Sequence, residues 1–221
     1  MQMESNASVA GNEIPTKEEM YQALVFRHTK KVQERLADAH VAICGLGGLG
    51  SAIAIALARC GVGHLHLIDY DKVDLTNLNR QQYSVTQLGM PKAQALKQEL
   101  VRFAPYLDIE TTEAKITPEN VSSLLSGWEY ICEAFDCPEQ KAMLTNEVLV
   151  QLPQAYLVGA SGMAGYGDSN RIQTRKVMEH YYLCGDGTTE ITKDYGLMAP
   201  RVMICAAHQA NQIVSLIMEK G

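Results

Sequence analysis

The sequence lacks three patterns that would identify a protein class at once. Its six cysteines include no Cys-x-x-Cys pair, so neither a zinc clamp nor a disulfide framework is indicated, and free thiols in a reducing cytoplasm are expected. Apart from the stretch Arg27 to Arg35, the lysines and arginines are scattered. The formal net charge is −6, which argues against a dedicated nucleic-acid binder. No Gly-x-x-x-x-Gly-Lys-Ser/Thr loop occurs, which excludes a Walker-type ATP site.

The chain also lacks the features of exported and membrane-spanning proteins. The N-terminal residues have no basic stretch followed by an apolar one, so no secretory signal is expected, and residues 1–17 are interpreted as a flexible lead-in. The run Val41 to Ala58 is about as long as a membrane span, but its clustered glycines predict a strand, a tight turn and a helix instead. We therefore expect a cytoplasmic protein without a membrane partner, with one domain over residues 18–221.

Strand and helix patterns alternate along the chain after an N-terminal helical extension at 18–39. Strands are predicted at 40–44, 64–69, 107–116, 129–135 and 155–161, and helices at 51–60, 92–104, 117–127, 138–152 and 199–220. A Gly-rich loop, one further strand at 171–177 and an irregular stretch through 190 precede the last helix. This order predicts an α/β fold with a Rossmann-like, doubly wound sheet. The sheet is expected to be mostly parallel, with some antiparallel strands near the C-terminal end.

The segment "GLGGLG" joins the first strand to its helix with the spacing Gly-x-Gly-x-x-Gly. Its glycines are Gly45, Gly47, Gly48 and Gly50. Glycines at such a turn let backbone N–H groups and the helix N-terminus approach a phosphate. Asp69 ends the second strand, where its carboxylate can accept hydrogen bonds from a ribose hydroxyl. The turn alone leaves three interpretations open: a dinucleotide site, an ATP site, or a tightly packed corner that binds nothing.

Three charged residues downstream favour ATP. Arg80 and Lys92 flank a loop close in sequence to the turn, and two cations suit a triphosphate from which pyrophosphate must leave. Asp136 lies just past a central strand, at the sheet edge where ligands bind, and its carboxylate is suited to Mg²⁺. The simpler interpretation of Asp136 is a helix cap before Pro138.

Four motifs together resemble one known family. They are GLGGLGS (45–51), GVGHLHLIDYDKVDLTNLNRQ (61–81), GMPK (89–92) and EAFD (133–136). They are similar to those of the ubiquitin-activating-enzyme-like superfamily, in particular the bacterial adenylyltransferases of the ThiF, MoeB and HesA type. The likeness covers about Arg27 to the C-terminus, and "NLNRQQY", "ASGMAGYG" and "GLMAPRV" resemble the short ThiF form most.

The resemblance implies a reaction and its partners. The C-terminal glycine carboxylate of a ubiquitin-like sulfur carrier that ends in Gly-Gly attacks the α-phosphate of Mg²⁺-ATP, giving an acyl adenylate and pyrophosphate. In the short ThiF form this step belongs to thiamine thiazole synthesis. The Gly-rich loop 159–167 is either a groove for the carrier's tail or an ordinary flexible connection. The absence of paired Cys-x-x-Cys motifs implies no structural zinc.

The resemblance also assigns residue roles. The four glycines shape the nucleotide turn, Asp136 organises Mg²⁺, and the remaining nucleotide contacts come from Asp69, Asp71, Asn77, Arg80 and Lys92. Family members often add an arginine across a homodimer, which Arg27 matches, although a solvated helix face explains Arg27 equally well. Some relatives use a loop cysteine in a covalent link, and Cys184 in "HYYLCGDG" is the candidate, with an incidental thiol as the alternative.

Other functions stay open from the sequence. Within the superfamily they are the MoeB-like molybdopterin branch and the tRNA threonylcarbamoyladenosine dehydratase branch. The scattered basic residues weigh against the second of these. Outside the superfamily they are a nicotinamide-dependent oxidoreductase and a nucleotide-binding module without catalysis.

Overall fold

The computed structural model describes residues 14–219. Of the predicted lead-in 1–17, residues 1–13 lie outside the described residues, as do the last two residues of the domain predicted over 18–221. The first helix begins at Lys17, where Thr16 and Glu19 form a reciprocal capping box. The helices are α1 (Lys17–His28), α2 (Lys30–Asp38), α3 (Gly48–Cys60), α4 (Lys92–Val101), α5 (Val121–Leu125), α6 (Pro138–Gln151) and α7 (Ala199–Glu219). The strands are β1 (His40–Cys44), β2 (His64–Ile68), β3 (Asp108–Thr112), β4 (Tyr130–Glu133), β5 (Tyr156–Ala160), β6 (Gln173–Met178) and β7 (Tyr181–Gly185).

The seven strands form one sheet in the order β3-β2-β1-β4-β5-β7-β6. Every neighbouring pair is parallel except β6 and β7, which pair antiparallel at one edge. The predicted Rossmann-like, mostly parallel sheet is therefore confirmed. From β1 the sheet is extended in one direction by β2 and β3 and in the other by β4 and β5, so the strand order reverses between β1 and β4. In open α/β sheets the carboxyl ends of the strands form a ligand-binding crevice at such a point.

The predicted secondary structure differs most from the observed one at strand β7 and helix α5. Strand β7 occupies residues that we expected to be irregular, and it pairs with both β5 and β6. The strand was missed because the glycines of "CGDG" are typical of a loop. The helix expected over 117–127 is shorter and spans Val121–Leu125. Residues 117–120 form a turn before it, in which the N–H of Thr117 donates to the side-chain oxygen of Asn120.

Apolar side chains cover both faces of the sheet. One cluster joins the sheet to α2, α3, α4 and α7 and includes the fully buried Ile53, Leu57 and Leu96. A smaller cluster packs α5 and α6 on the opposite face through Leu125 and Leu144. Burial of apolar surface on both faces is the main stabilising contribution to such a fold. In residues 14–219 we find no helix with the length and apolar character needed to cross a bilayer.

Candidate active site

The glycine turn between β1 and α3 is held by close backbone contacts. Gly45 has φ +90°, a left-handed conformation that favours glycine, and its N–H donates to the carbonyl oxygen of Ile68 at 2.9 Å. A Cβ at Gly50 would lie only 1.8 Å from the carbonyl oxygen of Gly45. These two positions therefore require glycine for the turn itself, and the turn leaves the N-terminus of α3 facing the crevice.

Asp69 ties the end of β2 to this turn. One carboxylate oxygen accepts the N–H of Leu46 at 2.6 Å, and the other accepts the N–H of Asp71 at 2.8 Å. Burial raises the pKa of Asp69, a shift that Lys92 and these two hydrogen bonds oppose. The carboxylate lines the cavity, so the predicted ribose contact would be additional to its role in holding the turn.

The two predicted cations differ in their surroundings. Lys92 begins α4 and is buried, and its Nζ lies 3.0 Å from a carboxylate oxygen of the half-exposed Asp71. Arg80 is half-buried, and within residues 14–219 its guanidinium donates only to Asn79 and, at 3.5 Å, to the carbonyl oxygen of Thr76. Arg80 has no carboxylate partner among residues 14–219, so its charge is available to an anion in the crevice.

Asn77 lies at the end of a short 3₁₀ helix, Leu75–Asn77, and lines the cavity. Its Oδ1 accepts the N–H of Asp74 at 3.2 Å, which directs the amide. Its NH₂ group makes no hydrogen bond within the described part of the chain and is free to donate. A free amide donor of this kind suits a phosphate or a hydroxyl group.

Asp136 follows β4 and precedes Pro138, the first residue of α6. Its side chain is exposed, lines the cavity and makes no hydrogen bond or ion pair within residues 14–219. Those residues contain no cluster of three or more His, Cys, Asp or Glu arranged to hold a metal ion. Mg²⁺ commonly uses one or two carboxylates together with substrate phosphates, so a single free carboxylate in this crevice fits that cation.

These groups surround one cavity of about 850 Å³ at the carboxyl ends of the strands. The loop segment Ser161–Ala164 lines it as well, so part of the Gly-rich loop borders the same space as the turn. This segment is tethered, since Ser161 donates to the carbonyl oxygen of Cys184 and Asp186 donates to that of Gly162. The cavity brings together the predicted residues Gly45, Gly47, Gly48, Asp69, Asp71, Asn77, Arg80, Lys92 and Asp136.

Three predicted site residues are not among the described residues that line the cavity. The first, Gly50, packs against the carbonyl oxygen of Gly45 instead. Cys184 is on strand β7 rather than on a loop, and its side chain is fully buried, so the loop placement is wrong. Burial raises the pKa of its thiol to about 11, which opposes formation of a reactive thiolate. Arg27 is exposed on α1 and is not among the described residues that line the cavity. Its action across a dimer stays a prediction.

The structure adds two residues that the sequence reasoning missed. Gln81, directly after Arg80, lines the cavity with 7% of its surface exposed, and its Oε1 has no partner in the described structure. Such an orphaned amide in a cavity fits a ligand contact. The position of Gln81 within "NLNRQ" was the available signal. Lys141, on α6, also lines the cavity and forms an ion pair with Glu133. No motif in the sequence indicates that these two residues meet.

Comparisons with known proteins agree with this architecture. The chain is 34% identical over 146 residues to the tRNA threonylcarbamoyladenosine dehydratase of Escherichia coli, which covers 65% of this chain and 54% of that protein. It is 31% identical over 195 residues to the molybdopterin-synthase adenylyltransferase of Salmonella typhimurium, which covers 86% and 77% respectively. The chain thus spans about half the length of the first relative.

A solved structure and a family model extend the comparison over nearly the whole chain. The E. coli tRNA threonylcarbamoyladenosine dehydratase, TcdA, in complex with ATP superposes with a TM-score of 0.83. Its sequence identity is 22%, and the match covers 94% of this chain and 98% of that one. At this identity the match shows the fold. The model described as the ThiF family matches residues 21–221, which confirms the resemblance: the chain belongs to the ThiF family.

Proposed function

We propose that this chain is an ATP-dependent adenylyltransferase that activates a carboxylate. The observation that carries the proposal is that Arg80, Lys92, Asp136, the glycine turn and the segment Ser161–Ala164 line one and the same cavity. Arg80, Lys92 and Asp136 suit a triphosphate, and the segment Ser161–Ala164 leaves room for an extended peptide tail, because three of its four residues are small. An oxidoreductase site would not need these two cations and the exposed carboxylate.

The chemistry requires positioning and charge stabilisation more than a general base. The attacking carboxylate is already ionised at neutral pH, so a bond forms from its oxygen to the α-phosphorus while the bond to the departing pyrophosphate breaks. Arg80, without a carboxylate partner, would stabilise the charge that develops on the phosphates. Lys92 would share its charge between Asp71 and the nucleotide.

The N-terminus of α3 would add backbone N–H donors to the same anion. The unpartnered Oε1 of Gln81 is an acceptor, so it would suit a hydroxyl or amino group of the nucleotide rather than a phosphate. Asp136 would hold Mg²⁺, which when bound neutralises phosphate charge. The carrier's tail would lie along Ser161–Ala164, whose backbone is fixed by its hydrogen bonds to β7 and the following turn. A homodimer, with Arg27 reaching the neighbouring site, is part of this proposal.

For the substrate we propose a ubiquitin-like sulfur carrier that ends in Gly-Gly. The "ASGMAGYG" and "GLMAPRV" segments support a carrier of thiamine thiazole synthesis, since they resemble the short ThiF form most. The second candidate is ATP-dependent dehydration of threonylcarbamoyladenosine in tRNA. The 34% sequence identity to the E. coli tRNA threonylcarbamoyladenosine dehydratase favours it, whereas the scattered basic residues and the net charge of −6 weigh against it.

The test is carrier-dependent exchange of pyrophosphate into ATP. Arg80→Ala and Asp136→Ala are each expected to lower the exchange rate about 10²-fold or more, the usual loss when a group that stabilises transition-state charge is removed. Matched controls are Arg102→Ala and Asp38→Ala, both exposed residues away from the cavity. Wild-type exchange in both site variants would refute the assignment.

The same assay separates the two substrates. ATP turnover that depends on a carrier with a free Gly-Gly carboxylate supports the carrier proposal. ATP turnover that depends on threonylcarbamoyladenosine-containing tRNA, with no response to any Gly-Gly carrier, supports the dehydratase instead.

A further inference from the structure

The strands β4 and β5 separate where they reach the cavity. Their backbone pairing ends at Cys132 and Val158, one residue before the end of β4. The two chain segments that leave these strands are the one that carries Asp136 and the loop segment Ser161–Ala164. Backbone hydrogen bonds between the strands therefore do not fix the distance between the predicted metal ligand and the predicted tail groove.

Side chains bridge the gap instead. The Nζ of Lys141 donates to both carboxylate oxygens of Glu133, at 3.0 and 3.1 Å, and to the carbonyl oxygen of Ala160 at 3.0 Å. All three N–H groups of the ammonium are thus used. The Glu133 carboxylate also accepts the N–H of Phe135 at 2.8 Å and that of Ala160 at 3.4 Å.

Neighbouring residues make room for this bridge and extend it. A Cβ at Gly159 would lie 3.3 Å from Oε2 of Glu133, so a side chain there would crowd the carboxylate. The buried Gln209 on α7 donates to the carbonyl oxygens of both Glu133 and Val158, at 2.9 and 3.0 Å. Glu133 is 3% and Lys141 20% exposed at the side chain, which shields the pair from solvent screening.

We propose that Lys141 is a positioning residue for adenylyl transfer. By joining Glu133 to Ala160 it sets the separation of the Asp136 segment from Ser161–Ala164, and so aligns the carrier's carboxylate with the α-phosphate. This inference rests on the proposed function. Lys141 makes no hydrogen bond or ion pair with Arg80, Lys92 or the glycine turn in the described structure, so its role concerns alignment rather than retention of ATP.

The experiment uses Lys141→Met, Lys141→Arg and the double variant Glu133→Gln/Lys141→Met in the full chain, with the exposed Lys31→Met as control. Lys141→Met removes the bridge but leaves Glu133 as an unpaired buried charge, which lowers stability. The double variant removes that charge, so its melting temperature should return toward wild type, yet the hydrogen bond from Lys141 to the carbonyl oxygen of Ala160 stays absent.

In the double variant we expect the dissociation constant for ATP to change less than about twofold, because the phosphate contacts are intact. We expect its carrier-dependent exchange to fall about tenfold to 10²-fold, the loss typical of a misplacement near 1 Å. Lys141→Arg should recover part of the rate, since a guanidinium can also bridge the two acceptors. If exchange recovers together with the melting temperature, Lys141 is merely structural and the proposal is wrong.

A readout independent of the carrier separates this inference from the proposed function. Hydrogen–deuterium exchange should be faster at residues 160–164 of the folded double variant than in wild type, with the glycine turn unchanged. Faster exchange at 160–164 in the double variant, found together with a wild-type protein that activates no carrier, would refute the adenylyltransferase and keep the tether. Unchanged exchange at 160–164 would overturn the tether itself.

Discussion

Gly50 offers the sharpest test of how the glycine turn is built. In a helix interior, Gly→Ala normally gains about 1 kcal/mol from helix propensity. At Gly50 the added Cβ would lie 1.8 Å from the carbonyl oxygen of Gly45, whereas ordinary contact begins near 3.4 Å, so the turn must move by more than an ångström. Overpacking costs about 1–3 kcal/mol, and a clash this close belongs at the upper end of that range.

The net expectation for Gly50→Ala is a loss of about 2 kcal/mol in the free energy of unfolding. In chains of about 150–250 residues 1 kcal/mol shifts Tm by about 2–4 °C, so Tm should fall by about 4–8 °C. The assay is thermal unfolding with and without Mg²⁺-ATP. Since a ligand at 100 times its dissociation constant adds about 2.7 kcal/mol, a displaced turn should also reduce the ATP-dependent rise in Tm.

Gly196→Ala is the matched control. An added Cβ there meets nothing within 4 Å, and the residue is exposed in a loop, so Tm should change little. Gly50→Ala with a Tm equal to or above that of wild type would show that the close approach of the Gly45 carbonyl does not constrain the turn.

Three further predictions concern charged and thiol groups. Lys92→Met should weaken ATP binding about tenfold or more in calorimetry, as hydrogen bonds to charged groups contribute about 1.5–3 kcal/mol. Lys31→Met, on an exposed helix face, should bind ATP normally; equal affinities in both variants would contradict the phosphate contact. Burial raises the pKa of Asp186, but the hydrogen bonds from Thr189, Thr188 and Arg201 outweigh burial and lower it overall. The carboxylate therefore adds stability above its unfolded pKa of about 3.9 that is lost as pH falls through the folded value. Asp186→Asn should flatten the acid limb of a plot of unfolding free energy against pH, and an unaltered limb would exclude this role. At pH 8 a thiol pKa of about 11 leaves about 10⁻³ of Cys184 as thiolate, so alkylation of the native protein followed by mass spectrometry should leave it unmodified; rapid labelling would contradict its burial.

Local patterns in the sequence were enough to predict most elements of the fold. The spacing of Gly45 to Gly50 between an apolar strand and an apolar helix indicated the turn, because the backbone conformation there depends on the absence of Cβ atoms. The alternation of strands and helices indicated a parallel sheet. Strand β7 was missed because its pairing partners are distant in sequence, and its own glycine-containing end is typical of a loop.

The sequence by itself determined the family and the class of fold, and it predicted five charged residues that line the cavity: Asp69, Asp71, Arg80, Lys92 and Asp136. The tertiary structure decided which of these side chains are already bonded to other protein groups and which remain available to a ligand. In the fold Lys92 pairs with Asp71, both carboxylate oxygens of Asp69 hold the turn, and Cys184 is buried in a strand. Arg80 has no carboxylate partner in the part of the chain that the structure describes. The reason is physical: a residue's chemical type is set by the sequence, but its charge state and reach depend on burial and on partners brought close by the fold.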